Sequence, residues 1–222
     1  MQRFAVIGLG QFGSRLAKNL AQAGQEVIAI DRLERRIEEI RDAVTVAVAL
    51  DATDERAMRM QDIEKVDAAI VGIGENFESS ALCIATLKQI GVPRVIGRAM
   101  TPTATRILFR IGADEVVNPD EESADRWALR LINPQFLDQF ELAEGHSMVE
   151  IRTPQSWIGQ TLLQIRPRNE LGIHVVAIKR QVGESNRETL YIPMPDVPFV
   201  PDDLLLLMGR NVDLARLPKN DD

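Results

Sequence analysis

Ten residues near the start of the chain, Phe4-Ala5-Val6-Ile7-Gly8-Leu9-Gly10-Gln11-Phe12-Gly13, constrain its fold more than any other stretch. Residues 4–7 are an apolar run that reads as a buried strand. Gly8, Gly10 and Gly13 follow at G-x-G-x-x-G spacing, and Leu16, Ala17 and Leu20 open a helical pattern. Gly8 permits the tight turn off the strand, Gly10 presents no Cβ to a pyrophosphate, and Gly13 lets the helix approach the sheet. The unpaired N–H groups of the helix's first turn, with its dipole, then face a phosphate. A second run, residues 26–30, ends in Asp31, 18 residues after Gly13 and close to the spacing of a ribose-binding carboxylate. Its place at a strand end predicts a solvent-facing Asp31. The motif points to a nucleotide site rather than to glycines that merely turn the chain.

The first half repeats this alternation. Further strands are expected at 45–49, 68–71, 94–96 and 115–117, separated by helical patterns and short Gly-rich turns. A helix starting near Leu33 is expected to bury Leu33, Ile37 and Ile40. The turn Asp51-Ala52-Thr53-Asp54 caps a short helix carrying Ala57, Met58 and Met60, whose methionines read as core, and Cys83 reads as a small buried thiol on a helix over 77–90. Thr101 followed by Pro102 opens another helix. The fold class is α/β: a Rossmann-like parallel sheet with helices on both faces. Ligands bind such sheets at the carboxyl ends of the strands. Asp31, Arg32, Asp51, Glu75, Arg98 and Asp120 are therefore candidate site residues, with Gln11, Phe12, Ala52, Thr53 and Gly74 beside them.

After Asn133 the pattern changes. A helix over 122–132 carries Trp127, Leu131 and Ile132. Phe136, Leu137 and Phe140 then follow, too apolar for a linker and expected to pack on another element or subunit. Short β-like segments come next at 147–152, 173–179, 189–192 and 203–208, with a small helix over 161–165. The expected organisation is a Rossmann-like domain over 1–133. A crossover segment and a small α+β domain fill 134–222.

A formal net charge of −7 argues against a nucleic-acid partner, because phosphate binding needs a basic face. The single cysteine rules out an internal disulfide and a cysteine-rich metal site, and fits a reducing cytoplasm. A strand starting at residue 4 leaves no room for a signal peptide, and no apolar run reaches bilayer-spanning length. Direct membrane insertion is not expected, so a membrane role has to run through a partner.

The order of these features resembles the regulator-of-potassium-conductance (RCK) family. These are cytosolic nucleotide-binding subunits of Trk and Ktr type potassium uptake systems, also fused to some potassium channels. The resemblance rests on Phe4-Ala5-Val6-Ile7-Gly8-Leu9-Gly10 with Phe12-Gly13, on Asp51-Ala52-Thr53, and on Ile111-Gly112-Ala113-Asp114. In the second half it rests on Gly172 leading to Ala177-Ile178-Lys179, and on Pro193 and Pro195 before Asp203 and Met208-Gly209.

The resemblance implies that Gly8, Gly10 and Gly13 line phosphates and that Asp31 holds ribose. It implies that Asp51 and Thr53 border adenine, and that Arg98 meets phosphate. Asp120 would help hold a divalent or monovalent cation between facing nucleotides. ATP or ADP is the implied ligand, and cyclic di-AMP a second one in the C-terminal domain, with Arg168 either its phosphate contact or the partner of a local carboxylate such as Glu170. The implied partners are a membrane-embedded potassium transporter or channel subunit and further copies of the chain in a ring of paired domains, an octamer. That places the chain at the inner face of the plasma membrane. Gln11 stands where many Ktr-type proteins have an arginine on the terminal phosphate, which predicts a blunter distinction between ATP and ADP.

An NAD-dependent oxidoreductase uses the same fingerprint. It usually needs an acid–base residue beside the nicotinamide. The candidates are His146, in a turn after Glu144-Gly145, His174, at a strand start, and Tyr191, and all three fall in the second domain. The chain therefore reads as a non-enzyme. A redox sensor of NADH stays open as an alternative, as does the 2′-hydroxyl against 2′-phosphate choice, since Arg32 sits beside Asp31.

Overall fold

The computed structural model describes residues 1–182 and 187–218 and divides into two units, Met1–Glu122 and Ser123–Asp222. In the first, six strands form one parallel sheet in the order β3-β2-β1-β4-β5-β6. They are β1 (Arg3–Ile7), β2 (Glu26–Asp31), β3 (Val46–Ala49), β4 (Ala68–Val71), β5 (Val95–Arg98) and β6 (Glu115–Val117). Between them run α1 (Gln11–Gln22), α2 (Glu34–Glu38), α3 (Glu55–Arg59), α4 (Phe77–Ile90) and α5 (Pro102–Ile111), and α6 (Pro119–Ile132) follows β6. Helices cover both faces, so successive residues of a central strand are both buried. Ala5 and Ile7 pack with Ile28, Val71, Ile84 and Leu87, while Val6 packs with Ala17, Ala29 and Ile37 on the other face. The α/β class is as expected.

Local chemistry sets the helix ends. The Asn76 side chain accepts from the Ser79 N–H at 3.0 Å to start α4, and Gly91 ends it in the left-handed region at φ 98°. Thr101 accepts from the Ala104 N–H at 3.1 Å, and Pro102 takes the first position of α5.

Two expectations about the core and one about a helix boundary need correction. Leu33 is exposed, because it precedes α2 in extended backbone and only Ile37 and Ile40 turn inward. Met60 is 76% exposed, because the five-residue α3 ends before it and Met58 fills the core instead. The helix expected over 122–132, α6, starts at Pro119, and its Trp127, Leu131 and Ile132 are exposed.

The second unit contains an antiparallel sheet in the order β10-β9-β11-β8-β7. Its strands are β7 (Phe136–Ala143), β8 (His146–Arg152), β9 (His174–Val182), β10 (Arg187–Tyr191) and β11 (Leu204–Arg210), accompanied by the short helices α7 (Leu162–Ile165), α8 (Pro167–Leu171) and α9 (Asn211–Leu214). Phe136, Val149, Ile151, Trp157, Phe199, Leu205 and Leu207 form the core. The segment expected to pack on another element or subunit is itself a strand. Phe136 enters this unit's own core, and Phe140 stays exposed. His146 lies at the start of β8 rather than in the turn.

Candidate functional site

At the carboxyl edge of the parallel sheet the order reverses between β1 and β4, the geometry that opens a crevice in such folds. A pocket of about 900 Å³ fills it. Its lining includes Gly8, Gly10, Gln11 and Phe12 after β1, Asp31 and Arg32 after β2, and Asp51, Ala52 and Thr53 after β3. Gly74 and Glu75 come from the turn after β4, Arg98 from the end of β5 and Asp120 from the start of α6. The fold thus brings thirteen of the sequence-selected residues to one cavity.

Gly13 is not among the lining residues; it acts from behind. A Cβ on it would lie 2.0 Å from the Gly8 carbonyl oxygen, so only glycine lets α1 start this close to the turn. Gly8 itself takes φ 86°, in the left-handed region. Around Gly10 a Cβ would meet nothing within 4 Å. Gly10 is the N-cap of α1 and offers no side chain to its first turn, whereas α4 and α5 are capped by Asn76 and Thr101. The unpaired first-turn N–H groups of α1 therefore face the pocket beside open space, a place that suits an anion.

Asp31 differs from its expected state. It is 5% exposed rather than solvent-facing. One carboxylate oxygen, Oδ2, accepts from the Leu9 N–H at 2.7 Å and from Arg36 Nη1 at 3.0 Å; the other, Oδ1, accepts from the Leu33 N–H at 2.9 Å. The carboxylate thus ties the glycine loop to β2. Burial is tolerated because donors and a guanidinium replace lost water.

Asp51 accepts from the Thr53 N–H at 3.0 Å and from Thr53 Oγ1 at 2.7 Å. Those bonds, with a smaller contribution from the Arg32 charge, hold its pKa below the ordinary carboxylate value. Arg98 donates to Asp120 at 3.1 Å and lies over the Phe12 ring, 5.7 Å from its centroid. In the core, burial and, less strongly, the Asp51 charge push the Cys83 thiol up to about 12, so it stays protonated.

Sequence reading missed several pocket residues. Arg15 and Asn19 follow Gln11 at four-residue steps on α1, a spacing that puts all three on one helix face and would have revealed them. Glu78, Ser79 and Leu82 on α4 follow the same logic, and Arg36 had no motif to mark it. Among the described residues no group of three or more His, Cys, Asp or Glu side chains could hold a metal ion. Asp120, expected to help hold a cation, is ion-paired with Arg98 in this chain. Arg168 lies in the second unit, exposed on α8, and among the described residues it forms no ion pair with Glu170.

A TrkA-N domain model matches residues 4–119 and a TrkA-C domain model residues 147–220. The chain belongs to the RCK family. This RCK chain is 36% identical to Ktr system potassium uptake protein C of Bacillus subtilis (strain 168) over 218 residues, covering 98% of the chain and 96% of that protein. The fold is that of the GsuK RCK domain, with TM-score 0.64 at 15% identity, and of the GsuK channel bound to NAD, with TM-score 0.61 at 14% identity. The RCK chain is covered to 97% and 96% in these two comparisons and spans 46% and 38% of the two solved chains. No helix among the described residues is long and apolar enough to cross a membrane.

Proposed function

We propose that this chain is a regulatory subunit that senses an adenine nucleotide and gates a membrane potassium transporter. The observation that carries the reading is the uncapped first turn of α1, opening at Gly10 into a cavity of about 900 Å³. In this reading the phosphates rest on that turn, and Asp51 and Thr53 border the base. Asp31 acts at the ribose end mainly by holding the loop. ATP or ADP is the ligand. NAD(H) is the second reading, favoured by the shared fold of the GsuK channel bound to NAD.

Gating needs only a difference in nucleotide affinity between two states of the assembly. Moving a two-state equilibrium from 1:99 to 99:1 takes about 5.5 kcal/mol, roughly 0.7 kcal/mol for each site of an eight-membered ring. That is less than one hydrogen bond to a charged group contributes, about 1.5–3 kcal/mol. A sensor therefore needs no catalytic machinery, and the chain is read as a non-enzyme. Its place is the inner face of the plasma membrane, reached through the transporter. The exposed Trp127, Leu131, Ile132 and Phe140 are apolar surface suited to self-assembly. The second unit is assigned cyclic di-AMP, with Arg168 free to meet a phosphate.

The test is potassium flux into vesicles holding a Ktr-type membrane subunit and this chain. Flux that changes on adding ATP, ADP or NADH, and no longer does so with Gly10→Val, supports the reading. Flux indifferent to all three overturns it.

A further inference from the structure

We infer that Arg15 is the residue that reads the outermost phosphate of the bound nucleotide; the inference rests on the adenine-nucleotide reading above. Four arginines line the pocket: Arg15, Arg32, Arg36 and Arg98. Two are committed. Arg36 is bound to Asp31 at 3.0 Å, and Arg98 to Asp120 at 3.1 Å with its guanidinium over Phe12. Arg32 lies at the opposite, β3 side, where its charge acts on Asp51. Arg15 alone of the four stands on α1, and among the described residues it has neither an ion pair nor a hydrogen bond.

Helix geometry aims it. Arg15 lies four residues after Gln11, on the same face, and a helical side chain leans back over the turn N-terminal to its own Cα. The Arg15 guanidinium therefore covers the turn that carries Gln11, just beyond the uncapped N–H groups at Gly10. A phosphate chain that starts on those groups and runs outward meets Arg15 only at its far end. The other ionisable groups on the pocket wall, Asp31, Asp51, Glu75, Glu78 and Asp120, are all acidic, so none of them attracts that end. The neutral amide of Gln11 supplies no charge, so Arg15 is the planar, charged fork left for a terminal phosphate. A dinucleotide such as NAD, whose two phosphates are both internal, offers it no terminal group.

The experiment is calorimetry of ATP, AMP and NAD on the full chain and on Arg15→Gln and Arg15→Lys, with melting temperature as the control for folding. Arg15 is exposed, so neither variant should shift the melting temperature. Arg15→Gln should weaken ATP about tenfold, the scale of one charge-assisted contact, and leave AMP and NAD unchanged. Arg15→Lys should recover part of the ATP loss, because it restores the charge without the fork. Equal losses for all three nucleotides, or none for any, would overturn the role of Arg15 while leaving the site intact. Absence of binding by the unaltered chain would overturn the site reading and the inference together.

Discussion

The first unit buries Asp31 to hold the glycine loop, and the second buries Asp203 to hold the turn before β11. Both carboxylates pair with an arginine and accept a backbone N–H: Leu9 and Arg36 for Asp31, Val200 and Arg180 for Asp203. The device is the same, but the setting differs. In the parallel sheet every strand points the same way, so six strand ends and their turns gather along one edge, and the loop held by Asp31 borders the pocket there. In the antiparallel sheet strand ends alternate, and the turn held by Asp203 closes a core instead. One carboxylate fixes a loop that borders a pocket, and the other fixes a turn beside a core.

Core truncation gives the largest expected effect on this comparison. Leu87 and Leu205 are both fully buried, one in each unit. Leu87→Ala and Leu205→Ala should each destabilise by about 2–5 kcal/mol. Hydrogen exchange should quicken in the first unit for Leu87→Ala and in the second for Leu205→Ala. Both variants loosening the same amides would break the division into two cores.

Next come the two carboxylates. Asp31→Ala and Asp203→Ala each strand a backbone donor and an arginine, costing about 1–3 kcal/mol. Only Asp31→Ala should also weaken nucleotide binding in calorimetry. Equal loss of affinity in both variants would end the contrast drawn between the loops.

A smaller effect is expected at Asp114, which accepts from the Val95 N–H at 2.6 Å and from Lys88 at 3.0 Å. The backbone bond first, then Lys88, holds its folded pKa below the ordinary carboxylate value. A depressed folded pKa stabilises above the unfolded value, about 3.9, and that stabilisation is lost as pH falls through the folded one. Urea unfolding of the natural chain and of Asp114→Asn should therefore differ at pH 7 and converge in acid. A difference that grows toward low pH would reverse the sign.

The smallest effect belongs to Cys83, whose pKa of about 12 and complete burial predict no alkylation of the native chain at pH 8. Mass spectrometry should show one adduct only after denaturation.

How much was legible in the sequence follows the same divide. The parallel unit is written in local signals: fully apolar short runs, caps such as Thr101, and glycines at strand ends. Its strand ends and the turns after them therefore named nearly half of the pocket lining in advance. The state of Asp31 was not legible, since its burial depends on Leu9 folding back and on Arg36 from the next helix, both set by tertiary contact. Arg15 was hidden because the motif ends at Gly13, although helical spacing from Gln11 reaches it. In the second unit, β7 escaped notice because the register shifts between Phe136 and Asp138 and between Glu141 and Ala143 break the two-residue period. Phe140 and Leu142, apolar yet exposed, removed the remaining contrast between its faces.

The most direct test of the nucleotide site is Gly10→Val, read by calorimetry with ATP, ADP and NADH. The added side chain meets no protein atom within 4 Å at its Cβ, and φ −66° suits any residue, so the fold should lose only about 1 kcal/mol of helix capping. The same side chain enters the space assigned to phosphate. The natural chain should bind nucleotide measurably and Gly10→Val should not, with little change in melting temperature. Unchanged affinity in a folded Gly10→Val would contradict the nucleotide site.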